Sequence, residues 1–205
     1  MLKQTSLKIL STRAVKLLKA RVCMRARDFY SHGIHSAALA RLCQQGHIIR
    51  VGRGLYELPN IDITEHHSLL VAQQRVSHGV ICLLSALQFH ELTTQMPHEV
   101  WMAIDRKAWR PKQDYPPIRL IYFGSNLLQR GIKAYRVEGE HVQITTPART
   151  VADCFKYRNK IGLDVALEAL RDYRRKRAGS IDELLKAAKD VRVSNVIRSY
   201  LEALL

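Results

Sequence analysis

Glycine and proline punctuate the first sixty residues so closely that few folds remain open to them. Gly33 stops the short segment "RARDFYSH", and Gly46 stops "IHSAALARLCQQ". Gly52 and Gly54 flank Arg53 in "GHIIRVGRGLYELP", which Pro59 closes. Ahead of them, Leu7, Leu10, Ala14 and Leu17 recur at helical spacing in "TSLKILSTRAVKLLK" and give an amphipathic helix with a basic outer face. In the third helix Ile34, Ala38, Leu39 and Leu42 point inward. "HIIRV" and "LYEL" read as two strands around the turn "GRG", with Ile48, Val51, Leu55 and Leu58 supplying packing. The order helix, helix, helix, hairpin within about sixty residues is that of a winged helix-turn-helix, a fold used mainly to bind DNA.

Such a module reads bases from the start of its second paired helix. That helix begins near His35 and Ser36, with Ser36 suited to cap it or to bond a phosphate. Ala37, Arg41 and Gln44 fall at i, i+4 and i+7 and share a face opposite Leu39 and Leu42. Arginine pairs bidentately with guanine, glutamine pairs with adenine, and alanine meets a thymine methyl. Arg50 and Arg53 stand at the hairpin tip, where a phosphate backbone is expected. The plain alternative is that each of these residues belongs to a solvated helix face or turn.

Charge supports the nucleic-acid reading. The chain holds 33 Lys and Arg against 18 Asp and Glu, a net +15 that speaks of partners and not of fold. Residues 1–60 carry 11 cations against only Asp28 and Glu57, a net +9, so the first third is the concentrated basic part. Residues 1–27 contain no acid and have the composition of a transit peptide as well, but they serve here as the first helix of the module. The four cysteines form no CxxC pair, which predicts reduced thiols in a cytoplasmic protein. No apolar run is long enough for a membrane span.

The remainder, residues 61–205, reads as a second domain of α+β class with a mixed sheet and a helical end. "EHHSLLVAQQRV" and "CLLSALQFHEL" are helical, "EVWMAI" and "IRLIYF" are buried strands, and "IKAYRVEGEHVQIT" is a pair of strands around Glu138, Gly139 and Glu140. From Pro147 onward the spacing is helical. Pro147 fits the first turn of a helix capped by Thr146, and Arg149 can pair with Asp153 four residues on.

Two sets of residues carry a resemblance. Gly46, Ile49, Arg50, Val51, Arg53, Gly54 and Tyr56, preceded by "DFYSHGIHSAALARL", match the wing and recognition helix of AbiEi-type antitoxins, the regulators of abortive-infection toxin–antitoxin systems used in phage defence. Pro147, Arg149, Thr150 and Asp153, followed by "IGLDVALEALR", resemble the C-terminal domain of that family, as do Ser85, Ala86, His90 and Leu92. Glu91 stands where the family has glycine. The resemblance spans roughly residues 20 to 174. It implies a repressor that binds inverted repeats of double-stranded DNA in its own promoter. It also implies a C-terminal domain that counters a nucleotidyltransferase-like toxin, with or without touching it. It implies no cofactor, no metal and no catalytic residue.

Two other readings stay open: a winged-helix regulator without a toxin, and a metal-dependent nuclease. The second rests on Asp105-Arg106-Lys107 at a strand end, but it needs a further acid, and Glu91 and Glu99 lack the context for one. Adjacent His66 and His67 would point about 100° apart on a helix and cannot easily share an ion. The loop from Asp105 to Pro117 interleaves Arg106, Lys107, Trp109, Arg110, Lys112 and Tyr115. This pattern suits stacking on single strands or an interface, or else a loop whose Trp109 tucks into the domain.

Overall fold

The structure, a computed structural model, describes residues 2–60, 64–110 and 115–203, with side chains from residue 9 onward. The side chain of Leu7, and Lys112 altogether, therefore lie outside the described residues. Two compact units form: the described parts of Met1–Ser77, Pro111–Pro116 and Arg136–His141, and then His78–Arg110, Pro117–Tyr135 and Val142–Leu205.

The first unit runs α1 (Leu2–Ala20), β1 (Cys23–Arg25), α2 (Ala26–Tyr30), α3 (Ser36–Gln44), β2 (Ile49–Gly52), β3 (Leu55–Glu57) and α4 (His67–Arg75). The inward residues of the three leading helices meet as the periodicity requires. Ala14, Leu18, Phe29, Ile34, Leu39 and Leu42 form one buried cluster with Met24 and Ile48. The Tyr56 ring meets Phe29 edge-on at 5.9 Å. Burying an aromatic such as Phe29 contributes about 1.5–3 kcal/mol. Gly46 closes α3 at φ +70, a conformation that costs glycine little, and His47 then bonds back to the Leu42 carbonyl at 3.0 Å.

The sheet has three strands, not the two of a simple hairpin. β1 joins it antiparallel to β3, giving the order β1-β3-β2. The strand period of two then sorts its residues. Met24 and Tyr56 pack with the helical cluster, while Cys23 and Leu55 pack with Val71 of α4 on the other side. The unit takes in α4, which lies past residue 60.

The second unit is built on a five-stranded mixed sheet of order β6-β5-β4-β8-β7. Its strands are β4 (Val80–Ile81), β5 (Val100–Asp105), β6 (Ile118–Phe123), β7 (Ile132–Val137) and β8 (Glu140–Thr145). The tip of the β7–β8 hairpin, Arg136–His141, belongs to the first unit. β5 and β6 run parallel in register from Val100 opposite Ile118 to Asp105 opposite Phe123. The short β4 sits at the centre, antiparallel to β5 and parallel to β8. Helix α5 (Leu83–Phe89) follows it. Helices α6 (Pro147–Lys156), α7 (Arg158–Ile161), α8 (Leu163–Arg175), α9 (Ile181–Val191) and α10 (Ser194–Ala203) complete the unit. The chain is thus mixed α+β, with the helical end that the sequence predicts.

α6 lies at the heart of this unit, in contact with α5, α8 and α9. Every residue from Ala148 to Phe155 is buried. Its entry is as read: Thr146 caps it, accepting from the Arg149 N–H at 3.4 Å, and Pro147 occupies the first turn.

Candidate nucleic-acid interface

The buried side of α3 leaves its other side free for contact. With Ile34, Leu39 and Leu42 fully buried, His35, Ser36, Ala37, Arg41 and Gln44 are all exposed. One detail differs from the sequence reading. The cap position is His35, not Ser36, and no side chain caps the helix; Ser36 is its first helical residue. The extended backbone of His35 ends the loop from Gly33, so helical geometry begins at Ser36, one residue earlier than a Ser36 cap would give. The first backbone N–H groups of α3 are left for solvent or an anion. Tyr30 of α2 lies beside His35, ring centres 6.0 Å apart.

The hairpin turns on two residues, Arg53 and Gly54, between the paired Gly52 and Leu55. Gly54 carries the turn at φ +68, and its carbonyl accepts from the Ala26 N–H at 2.8 Å, which ties the turn to the start of α2. Arg53 is exposed at the tip. Arg50 is not at the tip. It lies within β2 opposite Tyr56, and its Nε donates to the Gly52 carbonyl at 3.1 Å. A bulge between Arg50 and Gly52 twists the strand there and re-aims its side chains. Exposed cations therefore mark both α3 and the hairpin of one small unit.

A buried ionic cluster in the same unit was not legible in the sequence. His67 donates from Nδ1 to Glu138 Oε2 at 2.8 Å. Its Nε2 stands 3.2 Å from the buried Glu57 Oε1, off the line of a well-formed hydrogen bond. The Glu57 carboxylate beside Nε2, opposed by burial and reinforced by Glu138, raises the His67 pKa to about 9, so the ring is an imidazolium at neutral pH. Burial would raise the Glu138 carboxyl, but hydrogen bonds from His67 and from the N–H and hydroxyl of Thr64 hold it below its usual range. The Cys23 thiol beside Glu57 is pushed up by burial and by that carboxylate, which leaves it unreactive.

In the second unit Arg149 and Asp153 do pair, Nε to Oδ2 at 2.9 Å, but as a buried pair with each side chain only 1% exposed. Arg149 Nη1 also donates to the carbonyls of Leu127 and Arg130, at 3.2 and 2.9 Å. Its guanidinium lies over the Phe123 ring. Burial pushes Asp153 up to about 6 against the pull of Arg149, so it is still ionised at neutral pH. Thr150 bonds the Thr145 hydroxyl at 2.7 Å. Pro147, Arg149, Thr150 and Asp153 thus fix α6 against the strand and loop before it, and none of the last three is accessible. His90 donates from Nε2 to the Thr145 carbonyl at 2.7 Å, and burial lowers its pKa.

Asp105 is held by its own loop and by the turn after β6, accepting from the Lys107 N–H at 2.8 Å and from the Ser125 hydroxyl at 2.6 Å. Among the described residues no group of three or more His, Cys, Asp and Glu is placed to hold a metal ion. No described helix is long and apolar enough to cross a membrane. Trp109 does not tuck into the domain; it is 88% exposed.

The first unit is thus basic, with three leading helices, a three-stranded antiparallel sheet, and exposed side chains on α3 and on its hairpin. Residues 13–59 match the family model described as transcriptional regulator, AbiEi antitoxin. The match includes α2, α3 and the hairpin and ends at Pro59, before the buried Arg149–Asp153 motif. No curated protein matches the chain.

Proposed function

We propose that the protein is a winged helix-turn-helix repressor of its own toxin–antitoxin operon, with residues 1–60 as the DNA-binding module. The observation that carries this reading is the pairing of an exposed Ala37, Arg41 and Gln44 face on α3 with exposed Arg50 and Arg53 on the hairpin, inside the segment that matches the regulator family. In this reading α3 enters the major groove. Arg41 and Gln44 read base edges there, His35 and Ser36 approach a phosphate at the helix start, and Arg53 anchors the neighbouring backbone. Inverted repeats in the promoter are the expected target.

Residues 61–205 are the antitoxin part of this proposal, countering a nucleotidyltransferase-like toxin. Pro147, Arg149, Thr150 and Asp153 act there by holding the fold, because the burial of Arg149, Thr150 and Asp153 denies a partner direct access to them. The first alternative is a regulator that works without a toxin, and the second is a metal-dependent nuclease using Asp105.

A mobility-shift assay of the full chain on its own upstream DNA, against random duplex of equal length, tests the first part. Tight, salt-sensitive binding that prefers the upstream DNA is the expected result. Equal binding to both duplexes would count against operator recognition. Co-expression with the reading frame next to its gene tests the second part: rescue of growth arrest is expected, and a harmless neighbour would leave a regulator alone.

A further inference from the structure

The loop after β5 combines features that packing does not account for. Trp101, on β5 itself, is 6% exposed, whereas Trp109 leaves its whole indole in solvent. A side chain of that size is ordinarily at least half covered, because its burial is worth more than that of any other residue. The segment is nonetheless braced. The Arg106 N–H donates to the Phe123 carbonyl at 3.2 Å and the Ala108 N–H to the Asp105 carbonyl at 3.0 Å. The only acid of the loop's described part, Asp105, accepts from the Lys107 N–H and the Ser125 hydroxyl.

That leaves the loop's cations facing outward. Arg106, Lys107 and Arg110 are exposed, and among the described residues none forms an ion pair with a carboxylate. Phe123, which holds Arg106, also stacks on Tyr157 at 6.0 Å and 26°. The Lys160 ammonium lies 5.7 Å from the Tyr157 ring. Arg106, Lys107, Trp109 and Arg110 make an exposed run of cations around an indole on this loop, joined through the buried Phe123 to Tyr157 and Lys160, all within the second unit.

We propose that this patch is a contact surface for single-stranded nucleic acid, separate from the α3 and hairpin face. The chemistry is specific to single strands. An exposed indole offers a flat face on which an unpaired base can stack, whereas duplex bases are already stacked on each other. The surrounding cations track the phosphates on either side. An acidic protein would satisfy the cations but would leave the indole's stacking face unexplained. The proposal goes beyond the operator reading and does not depend on it.

The test uses the full chain and fluorescein-labelled oligothymidylate and oligouridylate of about twenty nucleotides, longer than a typical single-strand site. Binding is followed by anisotropy and by quenching of indole fluorescence. Wild type should bind with quenching. Trp109→Ala should bind about tenfold more weakly or worse and lose the quench; the residue is too exposed for its removal to disturb the core, which circular dichroism checks. Arg53→Ala, in the hairpin, should keep single-strand affinity within about twofold. Either oligomer behaving so supports the proposal, and the ratio of the two affinities says whether DNA or RNA is preferred. Unchanged affinity in Trp109→Ala, or a loss confined to Arg53→Ala, would overturn it. So would an indole response to polyglutamate with none to either oligonucleotide, which would assign the patch to an acidic protein.

Discussion

His67 Nδ1 stands 2.8 Å from Glu138 Oε2, and the other ring nitrogen faces Glu57, so one imidazole serves two carboxylates 81 residues apart in sequence. The imidazolium is favoured in the fold, with a pKa of about 9 against 6.5 for an unconstrained histidine. A group whose pKa rises on folding contributes its full stability below the unfolded value and loses it as pH climbs through the folded one. Unfolding free energy should therefore fall between about pH 6.5 and pH 9, by about 2 kcal/mol. Each pH unit between the two values is worth about 1.4 kcal/mol, and solvent screens part of it. Urea titrations of wild type and His67→Gln across that range check this. The wild-type curve should slope relative to the variant, and parallel curves would remove the clamp.

Arg149 and Asp153 invite a different measurement. Removing one partner of a buried pair strands the other charge, at a cost of about 3–5 kcal/mol. Asp153→Ala and Arg149→Met should each be strongly destabilised, with the second also releasing the Leu127 and Arg130 carbonyls. The double variant Arg149→Met with Asp153→Leu strands no charge. It should be more stable than the sum of the single losses predicts by at least about 1 kcal/mol. Strict additivity in denaturant unfolding would mean that the pair is not coupled.

The parts of the fold that repeat locally were legible. Leu39 and Leu42 had to share a side once α3 was helical, and Thr146 and Pro147 announce a helix start wherever they occur together. β1 and β4 were not legible. Strands of three and two residues are too short to display alternation. They exist because of distant partners: Met24 pairs with Tyr56, and Ile81 with Met102 and Ile144. The same limit explains the site. The spacing of Arg149 and Asp153 predicts that they can pair but says nothing of burial, which depends on α5, α8 and α9 closing round α6. The His67 clamp needs Glu57 and Glu138, and no local pattern connects them. The exposed side of α3 was legible, because its opposite side is the core.

Glu91 gives a prediction from backbone geometry. It follows α5 at φ +55, in the left-handed region, while the Leu92 N–H reaches back to the Leu87 carbonyl at 2.8 Å. This is the helix-terminating turn that glycine occupies at least cost, and a residue with a side chain loses about 1 kcal/mol there. What Glu91 gains in return is a 3.4 Å contact with Lys176 on a carboxylate 83% exposed, and such a pair contributes little. Glu91→Gly should therefore raise stability by about 0.5–1 kcal/mol, partly offset by the greater freedom of glycine in the unfolded chain. Thermal unfolding reads this directly, and a lower midpoint in the variant would show that the Lys176 contact outweighs the strain.

Arg53 and Arg41 separate anchoring from reading. If Arg53, at the turn, neutralises one phosphate, Arg53→Ala should lower the slope of log K against log salt by about 0.9 and weaken all duplexes alike. If Arg41, in the middle of the exposed side of α3, pairs with a base edge, Arg41→Ala should lose about 1–3 kcal/mol of discrimination at one base pair. Its loss on random duplex should be much smaller. Both follow from anisotropy titrations at three or more salt concentrations, on the upstream DNA and on random DNA. An unchanged slope for Arg53→Ala would place the hairpin off the backbone. Equal losses on both duplexes for Arg41→Ala would make α3 a phosphate contact and move sequence recognition elsewhere in the first unit.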